Sequence, residues 1–176
     1  MTKLLIATNN PGKKKEYNKL LHGIDWELVS PQDIGIDPAV DEVETTFEGN
    51  AYLKATVCAA RAGLVTLADD SGLEVESLGG EPGVFSARYA GPAANDQQRV
   101  DYLLSKMQGI PWEQRTARFK CVIAIAQSSG EVRLCDGTCH GIITYEPKGV
   151  QGFGYDPVFF LPHLGKTMAE LTSDQK

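Results

Sequence analysis

The chain has 176 residues, of which 42% are hydrophobic and 23% are charged, and 17 basic against 23 acidic side chains give a formal net charge of −6. This length predicts one domain with a buried core, and the negative charge argues against a surface that coats nucleic acid polymers. No apolar run approaches the roughly 20 residues of a membrane span, and the apolar segment near the N-terminus is too short for a signal peptide. We therefore expect a folded cytoplasmic protein without a membrane or nucleic-acid partner.

The first 21 residues predict a strand, a tight loop and a helix. KLLIA (3–7) is typical of a buried strand, TNNPG (8–12) of a turn, and the apolar residues of 13–21 recur at helical spacing. Such a junction presents backbone N–H groups and the positive end of a helix, which favour an anion, and Lys13 adds a positive charge. The alternative is an ordinary turn with a lysine-rich outer face. A Walker A loop is excluded because Lys14 stands where that motif requires Ser or Thr.

A second strand and a helix are predicted next, separated by an acidic connection. Residues 26–29 predict the strand, and the acidic residues of 33–44 are either a solvated loop or part of a site. Thr45, followed three residues later by Glu48, predicts a capping box that opens a helix ending at about Gly63.

The stretch VTLADDSGLEVESLGGEPG (65–83) is the central motif of the sequence. Its apolar start predicts a short buried strand, which Asp69 and Asp70 end and a glycine-rich turn closes. Adjacent carboxylates at this place are costly to desolvate unless a metal ion or hydrogen bonds compensate. Oxygen ligands suit Mg²⁺, which takes one or two carboxylates and leaves its other positions to water and phosphates. The alternative is a solvated turn capped by Asp69. Asn50 and Lys54, four residues apart on the preceding helix, are either solvated or reach into a cleft.

The C-terminal half alternates helices, strands and a second glycine-rich loop. The pattern predicts a helix at 95–107, a hairpin of strands at 116–126 and 132–143, a strand at 158–161 and a final helix around 168–171. The loop GVQGFGYDP (149–157) offers Phe153 or Tyr155 for stacking against a flat base. Strands mixed with helices indicate an α/β fold with a mixed sheet. Together with the anion-ready loop and the carboxylate pair, these features predict a Mg²⁺-dependent enzyme that acts on a nucleotide.

The cysteines are Cys58, Cys121, Cys135 and Cys139. Cys58 falls in a helical pattern and Cys121 in a strand-like one, so both predict core packing. Cys135 and Cys139, with His140 beside them, raise a zinc site as an alternative, but their spacing is not C-x-x-C and no second ligand pair follows. We therefore expect the free thiols of a reducing cytosol.

Five motifs, in order and at matching spacing, resemble those of the Ham1/RdgB-type inosine triphosphate pyrophosphatase family. They are ATNNPGK (7–13), TFEGNAYLKA (46–55), ADDSGL (68–73), LGGEPGVFSARYAG (78–91) and GFGYDPVFF (152–160), followed by GKTMAEL (165–171). The resemblance implies a mixed twisted sheet with flanking helices, in one two-lobed domain (1–176) with a central cleft, as a homodimer. It also implies Mg²⁺-dependent hydrolysis of ITP, dITP and XTP to the monophosphate and pyrophosphate. Members continue beyond the residue that matches Lys176 into a Ser-His-Arg segment, whereas this sequence ends there.

The resemblance also assigns roles to residues. Asp70 corresponds to the catalytic proton acceptor and a metal ligand, and Glu42 to the second metal ligand, with Asp41 or Glu44 as alternatives. The residues that correspond to substrate contacts are Thr8, Asn9, Asn10, Pro11, Gly12 and Lys13 at the triphosphate, Asn50, Lys54 and Ser71 nearby, and Phe153, Gly154, Tyr155, Asp156 and Lys176 at the base. In this correspondence Phe153 stacks on the base, Asp156 accepts from a purine N–H and Lys176 contacts the 6-oxo group.

Two questions stay open at the level of sequence. Either Asp69 or Asp70 orients the attacking water, since a carboxylate that binds a metal tightly loses basicity. Two other functions share parts of the pattern: a Maf-like pyrophosphatase for modified pyrimidine nucleotides, and a non-catalytic nucleotide-binding protein. The second has no need of the paired carboxylates, whose presence therefore favours an enzyme.

Overall fold

The computed structural model describes residues 2–37, 40, 43–172 and 174–176. Glu42 and Asp41, two of the residues assigned or considered as metal ligands, lie outside the described residues. The helices of the described part are α1 (Pro11–Leu20), α2 (Phe47–Ala62) and α3 (Asp96–Lys106). The strands are β1 (Thr2–Ile6), β2 (Trp26–Val29), β3 (Val65–Val75), β4 (Thr116–Ala126), β5 (Val132–Ile143), β6 (Phe159–Leu161) and β7 (Lys166–Thr167).

The strands form one seven-stranded sheet in the order β2-β1-β3-β4-β5-β6-β7. Strand β1 pairs in parallel with both β2 and β3, with Leu4 opposite Leu28 and Val65. Strands β5, β6 and β7 pair antiparallel, with Ile142 opposite Phe160. Neighbouring strands β4 and β5 are joined by the short turn 127–131, which only an antiparallel pair permits. The predicted mixed α/β sheet and its hairpin are therefore confirmed.

Helix α1 begins two residues earlier than predicted because Asn10 caps it. The Oδ1 atom of Asn10 accepts from the backbone N–H groups of Gly12 (2.8 Å) and Lys13 (3.2 Å), and Pro11 takes the first helical position, where a missing N–H costs nothing. The N–H groups of Gly12 and Lys13, at the junction where the sequence pattern favours an anion, thus bond the capping side chain of Asn10.

Helix α2 is capped one residue later than predicted. The hydroxyl of Thr46 accepts from the N–H of Gly49 at 3.1 Å, so the predicted capping box of Thr45 and Glu48 is wrong. The third helical position is a glycine, which has no side chain to complete such a box. The predicted end is confirmed, since Gly63 adopts the left-handed conformation that stops a helix.

Strand β3 does not end at the carboxylates. It continues through Asp69 and Asp70 to Val75, so the prediction that the acids follow a short strand is wrong. The strand can pass through them because both side chains are buried against partners from other elements, as described below. The glycine-rich turn follows as expected, with Gly79 at φ 65° closing a short 3₁₀ turn.

The predicted helix near the C-terminus is also wrong. Strand β7 leads directly into a single 3₁₀ turn (Met168–Glu170), in which Thr167 and Glu170 form a capping box. The carbonyl of Ala169 then accepts from the N–H groups of Val150 and Gln151, which ties this turn to the second glycine-rich loop.

The chain divides into two compact units, unit 1 (residues 1–70 and 121–137) and unit 2 (residues 71–120 and 138–176). Unit 1 has a core cluster of Leu4, Ile6, Tyr17 and Leu67. Unit 2 has a larger one, which α3 enters through Val100, Leu103 and Met107. The buried guanidinium of Arg115 fastens this second core, because it donates to the carbonyls of Met107, Ile143 and Thr144 at 2.7–3.0 Å.

All four cysteines are free thiols, as expected, with Cys58 buried and Cys135 exposed. Among the residues that the structure describes, no group of three His, Cys, Asp or Glu side chains is placed to hold a metal ion. None of the described helices is long and apolar enough to cross a membrane.

Candidate active site

Two consecutive carboxylates in the middle of β3 form the centre of a charged cluster in unit 1. Asp69 is 3% exposed and Asp70 is 5% exposed. Successive side chains of a strand point to opposite faces of the sheet, and the two acids accordingly meet different partners. Lys13 pairs with Asp69, whereas Asn50 and Lys54 face Asp70.

Asp69 is bound by two groups of α1. The Nζ atom of Lys13 lies 2.5 Å from Oδ2 of Asp69, and the buried Tyr17 hydroxyl also hydrogen-bonds this carboxylate. Burial alone would lower the pKa of Lys13, but the charge and hydrogen bond of Asp69, followed by the charge of Asp70, raise it above its ordinary value. Burial and the negative charge of Asp69 likewise raise the pKa of Tyr17. Lys13 is therefore a fixed cation, and Asp69 is the group that fixes it.

Asp70 is bound by the first turns of α2. The side-chain amide of the fully buried Asn50 donates to Oδ2 of Asp70 at 3.0 Å, and the ammonium of Lys54 lies 3.7 Å from Oδ1. The same amide brackets the backbone of Glu44, donating to its carbonyl at 3.2 Å and accepting from its N–H at 3.1 Å. Asn50 thus links Asp70, the candidate catalytic carboxylate, to the backbone of Glu44 at the end of the acidic connection.

The chemistry of these donors suits a hard cation such as Mg²⁺. Asp70 supplies carboxylate oxygens in a buried position, and Mg²⁺ binds to one or two carboxylates together with water and phosphate oxygens. Such a site does not need a third carboxylate. It is therefore compatible with the described residues, among which no three His, Cys, Asp or Glu side chains are placed to hold a metal ion. Glu44 contributes its backbone to Asn50, as described, and Glu42 is outside the described residues.

The second glycine-rich loop forms a separate cluster in unit 2. Oδ2 of Asp156 accepts from the N–H of Phe153 at 3.1 Å and pairs with the ammonium of Lys176. Gly152 has a φ of 83° and lies so close to this pair that an added Cβ would clash with Oδ2 of Asp156 and Nζ of Lys176. Only glycine fits at that position.

The residues of this loop differ in what they can present to a ligand. Burial raises the pKa of Asp156, and the hydrogen bond and charge of Lys176 oppose the rise without cancelling it. The ring of Tyr155 is buried in the core of unit 2, and its hydroxyl donates to the carbonyl of Ser86 at 2.8 Å. Phe153 is only partly buried, which makes it the better placed of the two rings for stacking on a base.

The remaining candidates lie on the loop before α1 and at the middle of β3. The hydroxyl of Thr8 accepts from the N–H of Asn10 at 3.2 Å, and Oδ1 of Asn9 accepts from the side-chain amide of Gln32 at 3.1 Å. Ser71 is partly exposed directly after Asp70.

Sequence reasoning missed three residues that shape these clusters: Tyr17, Ser86 and Asp96. The helical spacing of residues 13–21 predicts only an apolar face for Tyr17, whereas its hydroxyl hydrogen-bonds Asp69. Ser86 and Asp96 bind the backbone or side chains of the second loop. Nothing in their spacing signals this, because their partners are distant in sequence.

The fold and the clusters define a class: an α/β protein with a mixed sheet, in which two adjacent buried carboxylates of one strand meet lysines and an amide from two helices. The sequence profile described as the Ham1 family matches residues 4–176. The chain belongs to the Ham1 family.

Several relatives with an assigned name are similar over essentially the whole chain. A dITP/XTP pyrophosphatase of Bacillus subtilis is 46% identical over 176 residues, covering 100% of this chain and 89% of that protein. A dITP/XTP pyrophosphatase of Exiguobacterium is 51% identical over 174 residues, covering 99% of this chain and 88% of that protein. Among solved structures, a HAM1 protein from Coxiella burnetii superimposes with a TM-score of 0.90 at 36% identity, over 99% of this chain and 89% of that one. The Staphylococcus aureus Ham1 protein gives 0.88 at 39% identity, with the same coverage.

Proposed function

We propose that this protein hydrolyses the non-canonical purine nucleoside triphosphates dITP, XTP and ITP to the nucleoside monophosphate and pyrophosphate. Relatives that are 44–51% identical over essentially the whole chain are named dITP/XTP pyrophosphatases. The observation that carries the proposal to this chain is the hydrogen bond between Asn50 and the buried Asp70, with Lys54 beside it. A non-catalytic nucleotide-binding protein has no reason to bury a carboxylate in this way.

In the proposed reaction a water attacks the α-phosphorus and pyrophosphate leaves. Lys13 and Lys54 stabilise the negative charge that develops on the phosphate oxygens. Asp69 is held by Lys13 and Tyr17 of α1, and Asp70 by Asn50 and Lys54 of α2. We assign the orientation of the water to Asp70, on the support of the family resemblance. The amide of Asn50 donates to Oδ2 of Asp70 and so fixes the orientation of this carboxylate.

The proposed cofactor is Mg²⁺, held by Asp70 and Glu42 and by the phosphates of the substrate. When bound, such an ion polarises phosphate oxygens and lowers the pKa of a coordinated water. The fit of Asp70 to this role comes from its oxygen donors and burial.

The proposed recognition of the base uses the loop cluster. Phe153 stacks on the purine, Asp156 accepts from a ring N–H, and Lys176 donates to the 6-oxo group. A donor that expects a carbonyl is left unpaired opposite the 6-amino group of adenine, which discriminates strongly against ATP. We further propose a cytoplasmic homodimer, on the support of the family resemblance.

Pyrophosphate release tests the proposal directly. The purified chain is assayed with dITP, XTP, ITP, dUTP, ATP and GTP, each with and without Mg²⁺. We expect release from the first three only when Mg²⁺ is present. A preference for dUTP would support the Maf-like pyrimidine enzyme instead, and no release from any nucleotide would support a binding protein.

Replacing the proposed catalytic carboxylate gives the matching mutational test. Asp70→Asn keeps the shape of the side chain and a hydrogen-bonding partner for Asn50, so we expect a folded protein. Loss of a general base or metal ligand should lower kcat by roughly 10²–10⁴-fold. Turnover close to that of the parent, at an unchanged melting temperature, would remove Asp70 from the mechanism.

A further inference from the structure

The base-recognition loop (residues 152–156) is anchored by a carboxylate from helix α3. The N–H of Gly154, at the centre of the loop, donates to Oδ2 of Asp96 at 2.7 Å. The other oxygen of Asp96 pairs with the guanidinium of Arg99, one turn further along α3. Arg99 in turn donates to the carbonyl of Ala87 at 2.9 Å and to that of Ala94 at 2.5 Å. Asp96 is therefore held in place from its own helix while it holds the loop.

A second anchor reaches the next residue of the loop. The hydroxyl of the buried Tyr155 donates to the carbonyl of Ser86 at 2.8 Å. The hydroxyl of Ser86 accepts from the N–H of Leu73 on β3 at 2.9 Å and donates to the carbonyl of Gly83 at 2.6 Å. Consecutive residues of the loop are thus tied to two different elements of unit 2.

Asp96 is not needed to cap its own helix. Asn95 already caps α3 through a complete capping box with Gln98, in which each side chain bonds the other residue's backbone. A carboxylate at the first helical position gains from the helix dipole, but that gain does not require a hydrogen bond to a loop 58 residues away in sequence.

The loop depends on such anchors for its order, because its own backbone is flexible. Gly152 and Gly154 both have positive φ, and glycine has little conformational preference of its own. The residues proposed to read the base, Phe153 and Asp156, lie on either side of the anchored Gly154. A loop that must hold a ring and a carboxylate in fixed positions gains binding energy when it is ordered before the ligand arrives.

We propose that Asp96 is a positioning residue for base recognition. It acts through the N–H of Gly154, and the hydroxyl of Tyr155 provides a second anchor for the loop. The inference rests on the proposed function, because the loop is the one assigned to the base. A residue in this role affects the affinity for the base and not the rate of the chemical step.

The test compares Asp96→Ala and Asp96→Asn with Asp101→Ala as the matched control. Asp101 lies on the same helix and has the same charge, but it accepts a hydrogen bond from the exposed side chain of Gln97. We measure KM and kcat for dITP and XTP, the affinity for dIMP, the melting temperature, and amide hydrogen exchange across 152–156. Tyr155→Phe, which keeps the buried ring and removes only the hydroxyl, tests the second anchor.

For Asp96→Ala we expect KM for dITP and XTP to rise by about tenfold, the size of one lost charge-assisted hydrogen bond. We expect kcat to change by less than about threefold and exchange at Gly154 to become faster. Asp96→Asn should recover part of the affinity, because an amide oxygen can still accept from Gly154. Tyr155→Phe should give a smaller rise in KM, and Asp101→Ala should match the parent protein.

Other results would overturn the inference. If Asp96→Ala lowers the melting temperature but leaves KM and the exchange of Gly154 as in Asp101→Ala, Asp96 only stabilises α3. If the parent protein releases no pyrophosphate from dITP or XTP, the proposed function fails, while dIMP affinity and loop exchange still decide the role of Asp96. If dIMP then also binds to the parent and to Asp96→Ala with equal affinity, or binds to neither, the positioning role fails as well.

Discussion

At the scale of single residues, the pKa of Lys13 and the pKa of Asp156 each reflect a balance between burial and nearby charges. For Lys13 the nearby carboxylates outweigh burial, so its pKa is raised and its charge is secure at any physiological pH. For Asp156 burial outweighs the attraction of Lys176, so its pKa is raised as well. The balance therefore falls in opposite ways: the partners of Lys13 stabilise its charge, whereas burial destabilises the charge of Asp156.

The raised pKa of Asp156 predicts a trade-off between stability and function. The folded state binds the proton of Asp156 more tightly than the unfolded state does, so this group favours folding below its ordinary pKa of 3.8 and loses that contribution as pH rises through the raised value. At pH 7 the ionised carboxylate is thus a net cost. We expect Asp156→Asn to melt at an equal or higher temperature than the parent at pH 7, with the difference shrinking toward pH 4.

The same substitution should weaken substrate binding, because the amide presents only one oxygen and no charge to the purine N–H. We expect KM for dITP to rise by about tenfold or more. Thermal unfolding between pH 4 and pH 8 and steady-state kinetics check the two halves, with Asp101→Asn as a control for the loss of one exposed charge. A variant that is clearly less stable than the parent at pH 7 would mean that the ion pair with Lys176 outweighs burial, contrary to this prediction.

At the scale of elements, the first two turns of α2 organise the unit 1 cluster. Thr46 caps the helix, Asn50 reaches Asp70 and the backbone of Glu44, and Lys54 adds a positive charge one turn later. These three residues fall on one side of a helix because they are spaced four apart. Gly49 lets the segment before the helix pass close to this side: an added Cβ would lie 2.8 Å from Cβ and 2.9 Å from Cγ of Glu44.

Gly49→Ala is therefore expected to impair activity without unfolding the protein. Alanine favours a helix over glycine by roughly 1 kcal/mol, which offsets part of the local clash. The clash displaces Glu44, and with it the backbone that Asn50 binds, so the orientation of Asp70 suffers. We expect kcat for dITP to fall by about tenfold or more, with a melting temperature within a few degrees of the parent.

A suitable control is Gly137→Ala in β5, where an added Cβ meets nothing within 4 Å. Pyrophosphate release and thermal unfolding are measured for both variants. Equal activity of Gly49→Ala and the control would show that the close approach of Glu44 has no bearing on the carboxylate.

The elements that sequence patterns predicted best are those whose signals are local. Strands β2, β4 and β5 have the predicted bounds, and α3 lies within the predicted range, because periodicity and turn residues suffice to define them. Strand β3 was predicted too short because two adjacent acids look like the end of a strand. Their partners, Lys13 and Asn50, are 56 and 20 residues away in sequence, and a local pattern cannot contain them. The helix predicted around 168–171 is wrong for a similar reason, since the carbonyl of Ala169 binds the N–H groups of the distant residues Val150 and Gln151.

At the scale of the whole molecule, the motifs singled out candidate residues but not the side chains that support them. The motif ADDSGL singled out Asp69 and Asp70, and the structure distinguishes them by their partners. Arg115 belongs to no such motif, although its side chain binds four backbone carbonyls in unit 2. Sequence patterns do not predict side chains that bind distant backbone carbonyls, because these carbonyls come within reach only in the folded chain.

Thiol reactivity offers a test that samples both units at once. Cys135 is exposed, whereas burial, and then the charge of Asp69, raise the pKa of Cys121 to about 11. At pH 8 only about one Cys121 in a thousand is then a thiolate, the form that reacts. Burial also raises the pKa of Cys58 and of Cys139. With a disulfide reagent at pH 8 we expect one fast thiol, three slow ones, and rapid reaction of all four in denaturant.

The substitution Cys135→Ser identifies the fast thiol, because it should remove the fast phase and leave the other three rates unchanged. Raising the pH toward 10 should accelerate Cys121 by about tenfold per pH unit, as its thiolate fraction grows, for as long as the protein stays folded. A fast phase that survives Cys135→Ser would place a second accessible thiolate in the native protein. Such a thiolate is incompatible with the burial that raises the pKa of Cys58, of Cys121 and of Cys139, and so with the packing around one of these three side chains.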